Sequence, residues 1–433
     1  MFFYYVKTAL HNLRRDKALT ALIIAAIAFG IGASMTVFSM FHTMSGDPIP
    51  WKSSKLYVPR IDNRSPEDRK QIKDRLRTTL LSYQDASEFY RSPIPSAHSR
   101  HYTLAFHVLP LDSDRLPLHG IGLAADRDFF SIFDVPFRYG SPWSKADDEG
   151  GNNVVVLSER LDRTLFAGKN SVGEHVNLDG VSYLVVGVLR DWNPQPRLYN
   201  IVNGPYGNSE DLFVPFSNAV NRHIEERGLD NCTGSFAGWF TENCTWLTVW
   251  TEFSSRSDAE RFRQFLTNYA AEQQRSGRFS WLPVTQLSSA SEWLDENAGI
   301  TSDTQLSLIL AFGFLLVCVV NGVVLLLARF SSRERETGLR RAVGATRKDV
   351  FAQFLVEAGA IGVIAGFLGL GLTLLGLAIE RQLLPEEMVR VAAISPSVVA
   401  MTLALAILTT VGAGIYPAWR GSVVQPVAQT KSQ

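Results

Sequence analysis

Between two long apolar runs, residues 329–353 read RFSSRERETGLRRAVGATRKDVFAQ and gather Arg329, Arg333, Arg335, Arg340, Arg341, Arg347 and Lys348. A basic loop this short reports its own side of a membrane, because cytoplasmic loops retain Lys and Arg. Other residue types invite chemistry elsewhere. His98, His101, His107 and His119 suggest a metal, yet no Cys or paired carboxylates complete a set at ligand spacing, and a solvated strand face is the competing reading. Cys232 and Cys244 lie close together in NCTGSFAGWFTENC, which in an oxidising compartment predicts a disulfide, with two free thiols as the alternative. Glu357 is the acid set well inside an apolar run, and it is either functional or paired with a loop cation such as Arg347. The sequence holds no H-E-x-x-H, G-x-S-x-G or G-x-x-x-x-G-K-[ST] pattern, so neither hydrolysis nor direct nucleotide binding is expected of it.

Long elements must position these residues. The 433 residues carry 42 basic and 42 acidic side chains, a balance that implies no nucleic-acid partner. Four runs, at 18–43, 303–329, 351–379 and 396–418, reach the roughly 20 apolar residues a membrane helix needs. Lys7, Arg14, Arg15 and Lys17 precede the first run, so both ends of the chain are expected inside, at the inner membrane, with 330–350 as a cytoplasmic loop and 419–433 as a cytoplasmic tail. The 380–395 loop and the 44–302 segment then fall outside. Residues 1–17 place apolar side chains at helical spacing and predict an amphipathic helix in contact with membrane lipid.

The outer segment predicts mixed α/β structure. A helical stretch covers Pro66 to Arg91, and Tyr102, Leu104, Phe106 and Val108 share one face of a strand on which His101 and His107 are opposite. Further strands are expected at Asn153 to Leu157, Asp211 to Phe216 and Leu247 to Phe253, with helices at Ser158 to Phe166, capped by Ser158, and Ser257 to Gln274. Gly173 to Leu189 forms a hairpin turning at Asp179 and Gly180, and Asn193 to Asn208 reads as a long exposed loop.

In the spans, Gly30, Gly32, Ala33 and Ser34 make a small-residue face suited to close helix approach or to lipid. Gly362, Gly366 and Gly369 do the same for the third run, as a contact within the chain or with a second copy. In the central loop, Leu339, Ala342 and Val343 fall on one helical face while Arg335, Arg340 and Arg341 point elsewhere. Gly344 suits the helix end, and Thr346 with Asp349 forms a capping box for the next span.

Several separated stretches carry a family resemblance: ADRDFFSIFDVPFRYG, NNVVVLSERLDRTLFAGKNSVGEHVNLDGVSYLVVGVLRDW, DLFVPFS, RERETGLRRAVGATRKDVFAQFLVEAGAIGVIAGFLGLGL and YPAWRGSVVQPVAQ. Together they resemble the permeases of MacB/FtsX-type ABC transporters over nearly the whole chain. That resemblance implies an α-helical membrane protein with four transmembrane helices and a large mixed α/β, two-lobed periplasmic domain between the first and second spans. The second lobe, about 120–216, is inserted in the first. It implies no enzyme activity and no cofactor bound directly, ATP and Mg2+ being held by a cytoplasmic ABC ATPase expected as a separate chain. Arg335, Leu339, Arg340, Arg341, Ala342, Val343 and Gly344 match the family's coupling helix; anionic lipid is the rival occupant of that surface. A second permease, identical or a sister chain, is implied, as are a periplasmic adaptor and an outer-membrane channel. Export driven by motion of the outer domain is the expected activity, with FtsX-like control of a periplasmic hydrolase, lipoprotein release and a receptor without an ATPase as alternatives.

Overall fold

The computed structural model describes residues 8–9, 12–13, 16–71, 80–109, 116–228, 230–241, 243–297, 302–383 and 396–423. Most of 1–17, most of the 380–395 loop and the end of the tail lie outside the described residues. The chain divides into a membrane unit, 1–44 with 300–433, and an outer unit, 45–299.

Among the described residues of the membrane unit, four helices are long and apolar enough to cross a bilayer: Lys17–Met44, Ser302–Ser331, Arg347–Leu383 and Pro396–Val423. At about 1.5 Å per residue each exceeds a hydrocarbon core of about 30 Å. The third span packs against both the first and the fourth. A methyl group added at Gly30 would lie 2.8 Å from Cys318 Cβ of the second span, and one at Gly32 2.7 Å from Leu372 Cβ of the third. Ser34 Oγ donates to Ala311 O across the same seam at 2.8 Å, whereas Ala33 is exposed.

The outer unit is built on one mixed sheet. Its strands are β1 (Leu56–Asp62), β2 (Ala97–Leu109), β3 (Leu118–Ala125), β4 (Phe137–Gly140), β5 (Val154–Leu157), β6 (His175–Leu178), β7 (Val181–Leu189), β8 (Leu212–Pro215), β9 (Thr248–Glu252) and β10 (Val284–Ser289). Their order is β10-β1-β9-β2-β3-β8-β5-β7-β4, with β6 pairing β2 and β7. Strands β3–β8 and β5–β7 are parallel pairs; the others are antiparallel. Residues 118–215 thus supply β3 to β8, and the flanks supply β1, β2, β9 and β10. Both faces are covered, so β5 buries Val155 and Leu157 in one core and Val154 and Val156 in the other. That explains its unbroken apolar run.

Local chemistry sets the ends of these elements. Ser158 Oγ accepts from Leu161 N at the start of the Glu159–Phe166 helix, and Asp179 and Gly180 take the left-handed backbone that turns β6 into β7. Tyr102, Leu104, Phe106 and Val108 of β2 all face one core.

Three expectations are corrected. The helix expected across Pro66 to Arg91 is interrupted: Pro66–Gln71 is helical, Leu81 forms a β-bridge with Leu247, and a new helix, Tyr83–Arg91, begins where Ser82 caps the Asp85 amide. The expected exposed loop at 193–208 is instead packed inward, with Leu198, Tyr199, Asn200 and Ile201 buried. Its carbonyls need not face water, because the Arg197 guanidinium donates to the oxygens of Asn203 (3.1 Å), Gly204 (2.8 Å) and Asn208 (2.8 Å). Beneath that segment His101 is buried rather than solvated, and its Nε2 donates to Tyr199 O at 2.7 Å.

Candidate functional site

The basic loop folds as a short helix, Glu334–Ala342, between the second and third spans. Gly344 follows at φ +112°, a conformation that favours glycine, and nothing lies within 4 Å of where its side chain would be. Thr346 N then donates to Asp349 Oδ2 at 3.0 Å and Asp349 N to Thr346 Oγ1 at 3.2 Å, a reciprocal cap that opens the third span.

The helix has two unlike sides. Thr337 is buried, and Arg340 reaches Gln353 on the third span and Glu336 on its own helix, both at 2.8 Å. Arg341 Nη1 lies 3.4 Å from Ser422 O at the end of the fourth span. Leu339 is 68% exposed and Val343 83%, with Ala342 and Arg335 also exposed.

Directly behind the helix start lies a buried ion cluster. Arg329 in the last turn of the second span meets Glu357 Oε1 at 2.7 Å and donates to Thr20 Oγ1 at 2.5 Å. Arg333, the residue that precedes the short helix, donates to Glu357 at 3.0 and 3.3 Å, to Asn12 O at 3.0 Å and to Asp16 Oδ2 at 2.9 Å. Glu357 and Arg329 are fully buried. Glu357 is therefore paired, with Arg329 and Arg333 rather than with Arg347. Two arginines against Glu357 and Asp16 leave the group neutral, as a charge in an apolar environment requires. The parts played by Asn12, Asp16 and Thr20 were not read from the sequence. The usable signal was Arg329 and Arg333, one helical turn apart, beside a carboxylate that had to find a cation.

On the third span the glycines face neighbours within the chain. A methyl at Gly362 would collide with Thr410 Oγ1, one at Gly366 would lie 2.9 Å from Ala406 Cβ, and one at Gly369 3.1 Å from Ile31.

In the outer unit, Cys232 and Cys244 form a disulfide with Cα atoms 4.8 Å apart. Closing a loop of 12 residues contributes on the order of 3 kcal/mol in the chain-entropy model. The bridged segment turns its rings inward: Phe236 and Trp239 are buried, and Trp246 meets Tyr102 edge-on at 4.9 Å between centroids. His107 Nδ1 lies 2.9 Å from Asp179 Oδ1, and the His107 and His119 rings are 5.4 Å apart, both exposed. Among the described residues no group of three or more His, Cys, Asp or Glu is assembled as a metal would need. Burial is the main cause of three shifts in the outer unit: His101 is pushed down to about 4, Asp148 up to about 6, with Asp126 adding to it, and Glu226 up to about 7.

The family model for the MacB-like periplasmic core domain matches residues 20–268, and that for the FtsX-like permease C-terminal region matches 308–426. The pyoverdine export ATP-binding/permease protein PvdT of Pseudomonas syringae pv. tomato is 26% identical over 309 residues, covering 71% of this chain and 42% of that one. The macrolide export ATP-binding/permease protein MacB of Salmonella typhi is 28% identical over 254 residues, covering 57% and 34%. The chain thus spans less than half the length of these relatives. The periplasmic region of MacB from Actinobacillus actinomycetemcomitans aligns with 59% of this chain and 97% of its own, at 15% identity and a TM-score of 0.38.

Proposed function

The chain belongs to the MacB/FtsX-type family of ABC transporter permeases, and from that premise we propose that it converts ATP binding and hydrolysis on a partner ATPase into motion of its outer domain, driving export of a substrate from the periplasm. The carrying observation is the Glu334–Ala342 helix, held to the span ends on one side while Leu339 and Val343 stand exposed on the other. A membrane protein that presents apolar side chains beside a basic loop offers a docking surface; burying Val343 in an ATPase groove would contribute roughly 1.5 to 3 kcal/mol. Anionic lipid is the competing occupant, and it would engage the arginines more than the apolar pair.

In this reading the loop faces the cytoplasm, both chain ends lie on that side of the inner membrane, and the outer unit is periplasmic. ATP and Mg2+ stay with the partner ATPase. A second permease completes the pair, and an adaptor with an outer-membrane channel would carry substrate onward. The test is to solubilise the affinity-tagged chain from its native membranes in mild detergent. An ABC ATPase should co-purify and the preparation should hydrolyse ATP; a chain that comes out with neither is not working as an ABC permease.

A further inference from the structure

The ion cluster behind the short helix has no assigned role, and its connectivity is unlike that of an ordinary structural salt bridge. Four chain segments meet at Glu357. Asn12 and Asp16 precede the first span, and Thr20 lies in its opening turn. Arg329 ends the second span, Arg333 begins the short helix, and Glu357 itself belongs to the third span. Beside it Phe330 and Phe354 stack at 4.2 Å between centroids, tying the second span to the third. A methyl group at Gly421 of the fourth span would lie 2.9 Å from Phe354.

The short helix is anchored at its start and near its end. At its start Arg333 is fixed by four hydrogen bonds to Glu357, Asn12 O and Asp16. Near its end Arg340 reaches Gln353 at 2.8 Å and Arg341 lies 3.4 Å from Ser422 O, before the chain leaves through Gly344. A helix whose start is tied to the cluster moves with it, so displacement of Leu339 and Val343 is felt at Arg333. Arg333 and Arg329 share one carboxylate oxygen, Glu357 Oε1, at 3.0 and 2.7 Å. Each guanidinium directs a charge-assisted hydrogen bond at Glu357, which is directional in a way that an apolar contact is not.

Stability alone gives little reason for such a cluster. A buried ion pair is often replaceable by packed apolar side chains without loss, because desolvation cancels most of the attraction. Its distinctive property is that it joins parts that would otherwise slide.

We propose that Glu357 is the positioning residue through which movement of the Glu334–Ala342 helix is passed together to the first, second and third spans. The proposal rests on the permease reading above and adds a residue and a route to it.

The test uses the complex of the full chain with its co-purified ATPase. Spin labels are placed on the outward faces of the first and third spans through Leu22→Cys and Leu368→Cys, both exposed, with the buried Cys318 replaced by Ala. Adding Mg–ATP should shift the label distance in the parent. Glu357→Gln removes the charge. The paired Arg329→Met, Glu357→Met variant replaces the ion pair by apolar bulk and leaves Arg333 with Asp16, so the site stays neutral and packed. Both variants should retain the ATPase and lose the ATP-dependent shift. A full shift in the paired variant overturns the proposal. So does failure of that variant to insert or to bind the ATPase, since the cluster would then be a folding or docking requirement only. A parent that retains no ATPase would instead refute the permease reading, which separates the two failures.

Discussion

The outer unit and the membrane unit both bury arginine–carboxylate pairs, and they use them differently. In the outer unit Asp85, Asp126 and Glu210 are each paired with one arginine. Asp85 meets Arg278 at 2.7 Å, Tyr269 Oη at 2.8 Å and Ser82. Asp126 holds Arg100 between the rings of Tyr90 and Phe216. Glu210 accepts from Tyr199 Oη at 2.6 Å and Asn200 Nδ2 at 2.8 Å, with Arg197 at 3.4 Å. These groups fasten loops to a rigid sheet. In the membrane unit two arginines, one in the last turn of the second span and one at the start of the short helix, converge on Glu357. Charge there is concentrated at one joint, while apolar side chains and close approaches of small residues pack the spans.

The contrast is broken most severely at Glu210. Removing it leaves the Arg197 guanidinium and two donors buried without their acceptor, and Glu210→Ala should cost about 3 to 5 kcal/mol. Urea unfolding of the detergent-solubilised chain, followed through tryptophan fluorescence of the outer unit, measures it. An unchanged midpoint would mean that Arg197 is satisfied by loop carbonyls alone.

A smaller effect is expected where the membrane unit relies on shape. Gly366→Leu forces bulk against Ala406 and should destabilise span packing by about 1 to 3 kcal/mol, without altering outer-unit unfolding. Thermal aggregation in detergent, compared with the parent, reads this directly. An equally stable variant would exclude a close contact at Gly366.

The smallest is a pH slope confined to the outer unit. Burial raises Glu226 to about 7, so the folded state keeps a proton that the unfolded chain has already released. The associated stability is full below the ordinary carboxylate range and is lost as pH rises through about 7. Asp148, raised to about 6, acts in the same direction. Glu226→Gln stays neutral throughout and should flatten the decline between pH 5 and pH 7 that the parent shows. Parallel stability profiles for parent and variant would remove Glu226 as its source.

Much of this architecture was legible because its causes are local. The Asp179–Gly180 turn, the Ser158 cap and the Thr346–Asp349 box each depend on residues a few positions apart, and apolar length alone marked the spans. What was not legible depends on long-range partners. The Pro- and Gly-rich 193–208 segment has the composition of a solvated loop, yet one guanidinium satisfies its carbonyls and lets it pack inward. His101 shares a strand face with His107, but only the inward packing of Leu198 to Ile201 distinguishes their fates. At the candidate site the short helix and its exposed pair could be read from spacing. The anchoring cluster could not, because Asn12 and Asp16 reach Arg333 only through the fold.

The central claim is that the Leu339–Val343 face receives an ATPase, and the most direct measurement is the affinity of that ATPase for a Val343→Asp variant. Val343 is 83% exposed and makes no contribution to a core, so the substitution should leave insertion and the outer unit unchanged. Docking would bury an unpaired carboxylate in place of an apolar side chain. The ATPase should no longer co-purify, and coupled ATP hydrolysis should be lost. An ATPase that stays bound with undiminished affinity and hydrolyses ATP as before would show that this face does not dock.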